Sequence, residues 1–209
     1  MINNLHVIGL TGGSGAGKGE VSQTFLSNGI KCLDTDKVSR EVCEPGKPCL
    51  RELVEYFGEN ILFPDGSLDR KGLAGVVFGE PDDEKRSVKH AALNRITHKH
   101  IIEAINSWLE SREKAGDSFA VVDAPQLFES GFDRHCDYII GVIADESVRV
   151  RRIVARDRIT ADAAEKRIAA QKSDRFFREH CDFIVYNNAG IDALEGQVNN
   201  ILEKINFFA

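Results

Sequence analysis

The chain has 209 residues and a mass of 23.2 kDa, enough for one α/β domain with a helical insertion but too little for two full-sized domains. Apolar residues make up 42% and charged residues 29%, and no run approaches the roughly 18 consecutive apolar residues of a membrane span, so the composition predicts a soluble protein without a membrane partner. A net charge of −6 argues against a general nucleic-acid partner, which needs basic surface to displace phosphate counterions. Yet between Arg149 and Arg178 ten Lys or Arg stand against four Asp or Glu, a local patch suited to a small polyanion.

Met1-Ile2-Asn3-Asn4-Leu5-His6 lacks a basic region, an apolar run and a small-residue cleavage site, which predicts a cytoplasmic location. The five cysteines are odd in number and irregularly spaced, with no Cys-x-x-Cys pair, so reduced thiols are expected rather than a disulfide framework or a zinc site. Nothing in the composition distinguishes a monomer from a homo-oligomer.

Taken in chain order, His6–Thr11 reads as a buried strand, and a glycine-rich loop then opens a helix whose Val21 and Phe25 share a face and which stops at Asn28-Gly29. Ile30–Asp34 reads as a second strand. Leu50, Leu53, Val54 and Phe57 mark a helix closed by Gly58, and Pro64-Asp65-Gly66 marks a turn. Asp69 is placed to cap a short helix carrying Leu73, Val76 and Val77, and a long helical pattern runs from about Asp82 to Lys114. Phe119–Asp123, Tyr138–Ala144 and Phe183–Asn187 read as three further strands, with helices over Glu146–Arg156, Ala161–Gln171 and the segment from Leu194 to Ile205. Strands separated by helices require crossover connections, so the expected fold class is α/β with a parallel five-stranded sheet and helices on both faces. The expected boundaries are a core of about residues 1–36 and 117–209, with a helical insertion of about residues 37–116 over the carboxyl ends of the strands, where open α/β sheets bind ligands.

The loop Gly12-Gly13-Ser14-Gly15-Ala16-Gly17-Lys18 has the Gly-x-x-x-x-Gly-Lys spacing of a phosphate cradle, and it lies between a strand and a helix as that mechanism requires. Glycines let backbone N–H groups converge on phosphate oxygens, the helix N-terminus adds the positive end of its dipole, and Lys18 reaches the terminal phosphates. Gly13, Ser14, Gly15, Ala16, Gly17, Lys18, Gly19 and Glu20 are therefore the expected nucleotide-contacting residues. The position after the lysine should carry Ser or Thr to hold Mg²⁺. Here it carries Gly19, followed by Glu20, whose carboxylate either complements the helix dipole or helps hold a hydrated metal.

Asp34-Thr35-Asp36 follows the second strand, and residues two apart on an extended segment point the same way, so both carboxylates are expected to face the cleft. Asp36 is either a catalytic base for a hydroxyl acceptor or the cap of the next helix. Asp123, ending an apolar strand, is either a water-mediated Mg²⁺ contact or a turn former before Pro125. On a helix Arg149, Arg152 and Arg156 fall within about 60° of one another, a cationic face suited to phosphate. His98 and His100, two apart on a helix, point to nearly opposite sides and cannot easily chelate one ion; His98 is read as a substrate contact and His100 as structural.

With these residues in place the chain resembles the dephospho-coenzyme A kinases, P-loop small-molecule kinases, over nearly its whole length. The resemblance rests on ordered segments: Gly9-Leu10-Thr11-Gly12-Gly13, Asp34-Thr35-Asp36, Asp65-Gly66-Ser67-Leu68-Asp69-Arg70, Leu93-Asn94-Arg95-Ile96-Thr97-His98, Asp123-Ala124-Pro125-Gln126-Leu127-Phe128-Glu129, Arg167-Ile168 with Gln171, and Asn187 with Gly190. It implies ATP-dependent phosphorylation of the ribose 3′-hydroxyl of dephospho-coenzyme A with Mg²⁺, the last step of coenzyme A synthesis. Lys18, Asp36, Arg152 and Arg156 would be catalytic, with a lid over about residues 149–178, Asn187 near the nucleotide, and Thr11, Asp36 and His98 at the acceptor. Departures from the family pattern are Gly19-Glu20 for Ser-Thr, Lys99 for a proline, Gln126 for a leucine, and a longer Asn187-Asn188-Ala189-Gly190 stretch. The alternatives are another small-molecule or nucleoside monophosphate kinase, or a nucleotide-binding protein whose catalysis is impaired at Gly19. A GTP-hydrolysing switch would need an Asn-Lys-x-Asp element, which the sequence lacks.

Overall fold

The structure is a computed structural model that describes residues 5–207, so Met1–Asn4 of the stretch read for export signals lie outside the described residues. The chain divides into two compact units, residues 1–34 with 111–209, and residues 35–110.

In the first unit five strands, β1 (His6–Gly12), β2 (Lys31–Asp34), β3 (Phe119–Asp123), β4 (Tyr138–Ile143) and β5 (Phe183–Tyr186), form one sheet of order β2-β3-β1-β4-β5. Every pairing is parallel, which is the expected α/β class. Strand β1 is central, flanked by β3 and β4, so the chain leaves it at the point where the strand order reverses. Open sheets of this kind place their ligand crevice there.

Alternation along the strands assigns the two faces. Ile8 and Leu10 of β1 and Ile140 and Val142 of β4 pack with Val21 and Phe25 of α1 (Lys18–Ser27) and with Leu194, Val198 and Leu202 of α9 (Ile191–Lys204). The intervening Gly141 faces the other way, where a Cβ built on it would meet Cys181 Sγ at 2.9 Å and Phe177 Cβ at 3.4 Å, so α8 (Asp174–His180) covers the second face. Phe25 is 0% exposed at the centre of the first face. Phe25→Ala should destabilise the chain by about 3–5 kcal/mol, read from urea unfolding, because the removed ring leaves a cavity that a sheet-backed core cannot collapse into.

The second unit carries α2 (Thr35–Glu41), α3 (Pro48–Phe57), α4 (Arg70–Phe78) and most of α5 (Asp83–Lys114). Its core joins Cys43, Cys49, Leu53, Ile61, Leu73, Val77 and Ile96. The local signals acted as read. Gly58, at φ 88°, ends α3, and the Asp69 side chain accepts from the Lys71 and Gly72 amides at the start of α4. A single antiparallel bridge, Leu62 to Leu68, spans the turn at Pro64-Asp65-Gly66. Cys43 and Cys49 lie 3.6 Å apart, sulfur to sulfur, and all five cysteines are free thiols. The hydrogen bond with Cys49, helped by Arg70, pulls the Cys43 thiol below its ordinary range against the pull of burial.

The remaining helices, α6 (Glu146–Asp157) and α7 (Ala161–Ala169), form a pair in the first unit that carries the arginine-rich segment. Among the described residues no helix is long and apolar enough to cross a membrane.

Candidate active site

The glycine loop leaves β1 and enters α1 with Gly17 at φ 94°, ψ 34°, and no side chain caps the helix. The Lys18 and Gly19 amides are thereby left for a ligand, the Glu20 amide bonding the Gly17 carbonyl at 3.1 Å, and the helix dipole points its positive end at them. Lys18 Nζ donates to the Gly12 carbonyl at 3.2 Å, so the ammonium folds back across the loop that its own backbone ends. Glycine is required at two of these positions by what surrounds them. A Cβ on Gly17 would lie 2.0 Å from Asn187 Nδ2, and one on Gly13 would lie 2.3 Å from a terminal nitrogen of Arg149.

The arginines of α6 divide. Arg149 is 5% exposed; its Nε donates to the Ser14 carbonyl at 2.9 Å and its Nη2 to Gln171 Oε1 at 3.2 Å. Gln171 completes the clamp, accepting the Ser14 amide at 2.8 Å and donating to Ser14 Oγ at 3.0 Å. Desolvation pulls the pKa of Arg149 down, opposed by Asp174 at 3.6 Å and by Glu146, so this is a buried cation only partly offset by carboxylates. Arg152 donates to the carbonyls of Gly15 and Ala16, both at 3.3 Å, and to Asn187 Oδ1 at 3.2 Å. Arg156 is held instead by Asp157, at 2.7 and 2.9 Å. Those bonds, with further help from Arg167, hold the Asp157 carboxyl down to about 2. Of the three arginines grouped on one face, Arg149 and Arg152 bond the loop, while Asp157 takes the third. Arg149, with Gln171, is the loop contact that periodicity could group but not single out.

Asn187 follows β5 rather than lying within it, and is 2% exposed. Its Nδ2 donates to the Ala16 carbonyl at 3.0 Å and to Glu20 Oε2, and Arg152 Nη2 stands 3.9 Å from the same carboxylate. Glu20 therefore faces Asn187 and Arg152.

At the carboxyl ends of the strands, Asp123 of β3 is in register with Asp34 of β2 and Leu10 of β1. Ser22 Oγ of α1 donates to Asp123 Oδ2 at 3.1 Å, a link the sequence reading did not anticipate. The expectation that Asp34 and Asp36 lie on one extended segment is corrected. Strand β2 ends at Asp34 and α2 begins at Thr35, so Asp36 lies in the first turn of a helix and period-two alternation does not reach it. Among the described residues no group of three or more His, Cys, Asp or Glu is arranged to hold a metal.

A cavity of about 570 Å³ opens beside the loop in the first unit, lined by Thr11, Gly12, Gly13, Gln126, Phe128 and Lys172 among others. Thr11 is 0% exposed, and its hydroxyl oxygen has no hydrogen-bond partner there. In the second unit His98 is half-buried on α5. His100 is buried on the same helix, with Nε2 3.0 Å from Glu52 and Nδ1 3.3 Å from Glu103, the packing position expected of it.

A family model described as dephospho-CoA kinase matches residues 6–193. A dephospho-CoA kinase of Corynebacterium efficiens is 39% identical over 198 residues, covering 95% of this chain and 96% of the relative. One of Fusobacterium nucleatum is 36% identical over 202 residues, covering 97% of this chain and 100% of the relative. Among solved structures, a protein of Thermus thermophilus superimposes with a TM-score of 0.80 at 26% identity, over 96% of this chain and 97% of its own. A shikimate kinase of Acinetobacter baumannii, at 16% identity and TM-score 0.56 over 97% and 94% of the two chains, shares the fold alone. With a family model spanning most of its length and relatives this similar end to end, the chain belongs to the dephospho-CoA kinase family.

Proposed function

We propose that the chain transfers the γ-phosphoryl group of ATP to the ribose 3′-hydroxyl of dephospho-coenzyme A, giving coenzyme A. The observation that carries this reading is the clamp of Arg149, Arg152 and Gln171 on the glycine loop of a chain in this family. Phosphoryl transfer asks little covalent chemistry of a protein. It asks for fixed positive charge and aligned groups, and a loop gripped from outside by two guanidinium groups supplies both.

In this reading the loop amides of Gly15, Gly17, Lys18 and Gly19 hold the triphosphate, and Lys18 exchanges the Gly12 carbonyl for phosphate oxygens. Arg149 and Arg152 approach the same charge from α6, within a lid of about residues 149–178. Asn187 closes the nucleotide end of the loop, and Glu20 keeps Asn187 oriented. Arg156 joins the phosphates once it gives up Asp157. The insertion of about residues 37–116, with His98, holds the acceptor. Asp36 takes the proton of the reacting hydroxyl. The free thiols suit a reducing cytoplasmic setting.

Oxygen donors at Asp34 and Asp123 beside the loop fit Mg²⁺, a hard cation held largely through water. Bound with ATP, that ion would offset phosphate charge.

The test is ADP release from purified protein and ATP with dephospho-coenzyme A, AMP or shikimate as rival acceptors. Turnover with dephospho-coenzyme A is expected to exceed that with either rival by at least about a hundredfold. Preference for AMP or shikimate would overturn the acceptor assignment. ATP binding without turnover on any acceptor would instead favour a nucleotide-binding protein disabled at Gly19.

A further inference from the structure

Loops of this kind place a hydroxyl at the residue after the lysine. This chain has Gly19 there, and a Cβ built on Gly19 would meet nothing within 4 Å, so neither a side chain nor a neighbour fills the position. At about 100° per residue, Ser22 lies about 60° around α1 from Gly19 and one turn further along, whereas Glu20 and Ser22 lie on opposite sides of the helix. The contacts agree, since Glu20 is engaged by Asn187 while Ser22 donates to Asp123 at 3.1 Å. Asp123 in turn stands beside Asp34 at the ends of two hydrogen-bonded strands. Like charges side by side on neighbouring strands repel, and a divalent cation nearby relieves that.

We propose that Ser22 is a positioning residue for Asp123. From one turn below the missing loop hydroxyl, it fixes the Asp123 carboxylate so that Asp123, with Asp34 beside it, holds the hydrated divalent cation that Gly19 cannot. The inference rests on the ATP-binding reading above. A carboxylate that reaches a cation through water is only as well aimed as its own hydrogen bonds make it, and partners that orient a metal ligand are typically worth about 10–100-fold in metal affinity. With no hydroxyl at position 19 to share the work, the orientation of Asp123 matters more.

The experiment uses the full chain with ADP, taking Mn²⁺ as a paramagnetic stand-in for Mg²⁺. Free and bound Mn²⁺ are separated by electron paramagnetic resonance, and metal-free ADP binding is measured by calorimetry in chelator. Ser22→Ala should weaken Mn²⁺ binding to the ADP complex by about tenfold while metal-free ADP binding stays as in the wild type. Gly19→Ser added to Ser22→Ala should restore Mn²⁺ affinity, since the new hydroxyl enters open space at the position the loop mechanism uses. Unchanged Mn²⁺ affinity in Ser22→Ala would overturn the assignment. So would a proportional loss of metal-free ADP binding, which a merely structural role produces. A wild-type protein that binds no nucleotide, with or without metal, would bring down the ATP-binding reading itself.

Discussion

Arg152→Ala is expected to lower kcat by about a thousandfold or more, with a smaller loss in ATP affinity, measured by steady-state ADP release and by equilibrium ATP binding. The side chain donates to the Gly15 and Ala16 carbonyls and to Asn187, so the guanidinium already lies against the loop proposed to hold the triphosphate. A cation that meets charge developing in the transition state acts on kcat more than on ground-state binding, and arginines in this role are worth about 10³–10⁵ in rate. Arg152→Lys separates charge from shape. It keeps the charge but lacks the planar fork that spans two carbonyls and an amide, so it should recover only a minor part of the rate. Stability should change little, since the side chain is 32% exposed and its hydrogen bonds lie at the surface of the loop.

Asp36→Asn is expected to reduce kcat by about 10²–10⁴ while leaving the affinity for ATP close to that of the wild type. The asparagine is nearly isosteric and still accepts a hydrogen bond from a hydroxyl, but it cannot take the proton. Asp36 sits in the first turn of α2, directly after the strand whose last residue, Asp34, stands beside Asp123. If Asp36 served only the start of the helix, Asp36→Asn would alter the thermal midpoint slightly and leave kcat intact, and that pairing of results would remove it from the chemistry.

Much of the architecture follows from local signals that the chain cannot easily override. The strand, loop and helix around Gly12–Lys18, the Asp69 cap and the Gly58 stop each depend on backbone requirements of a few adjacent residues, and each forms as the sequence predicts. What escaped the sequence depends on partners far away along the chain. Helical periodicity groups Arg149, Arg152 and Arg156, yet it says nothing of Asp157, which captures the last of them, or of Ser14 and Gln171, which receive the first. The pairing of Asp34 with Asp36 failed for a different reason. Alternation holds only while the chain stays extended, and the helix starts two residues sooner than that argument requires. Ser22 was passed over because a serine inside a helix usually answers to its own backbone, and only the placement of β3 brings a carboxylate to it.

The space above Gly17 is filled by Asn187, whose amide nitrogen lies 2.0 Å from where a Cβ would be. The two residues come from opposite ends of the first unit's chain and behave as one steric part. A chimera that exchanged the segment from Asn187 onward for a relative's would therefore alter the nucleotide loop without touching its sequence. Swaps designed by sequence block should carry residues 12–20 and 187–190 together, as a single cassette.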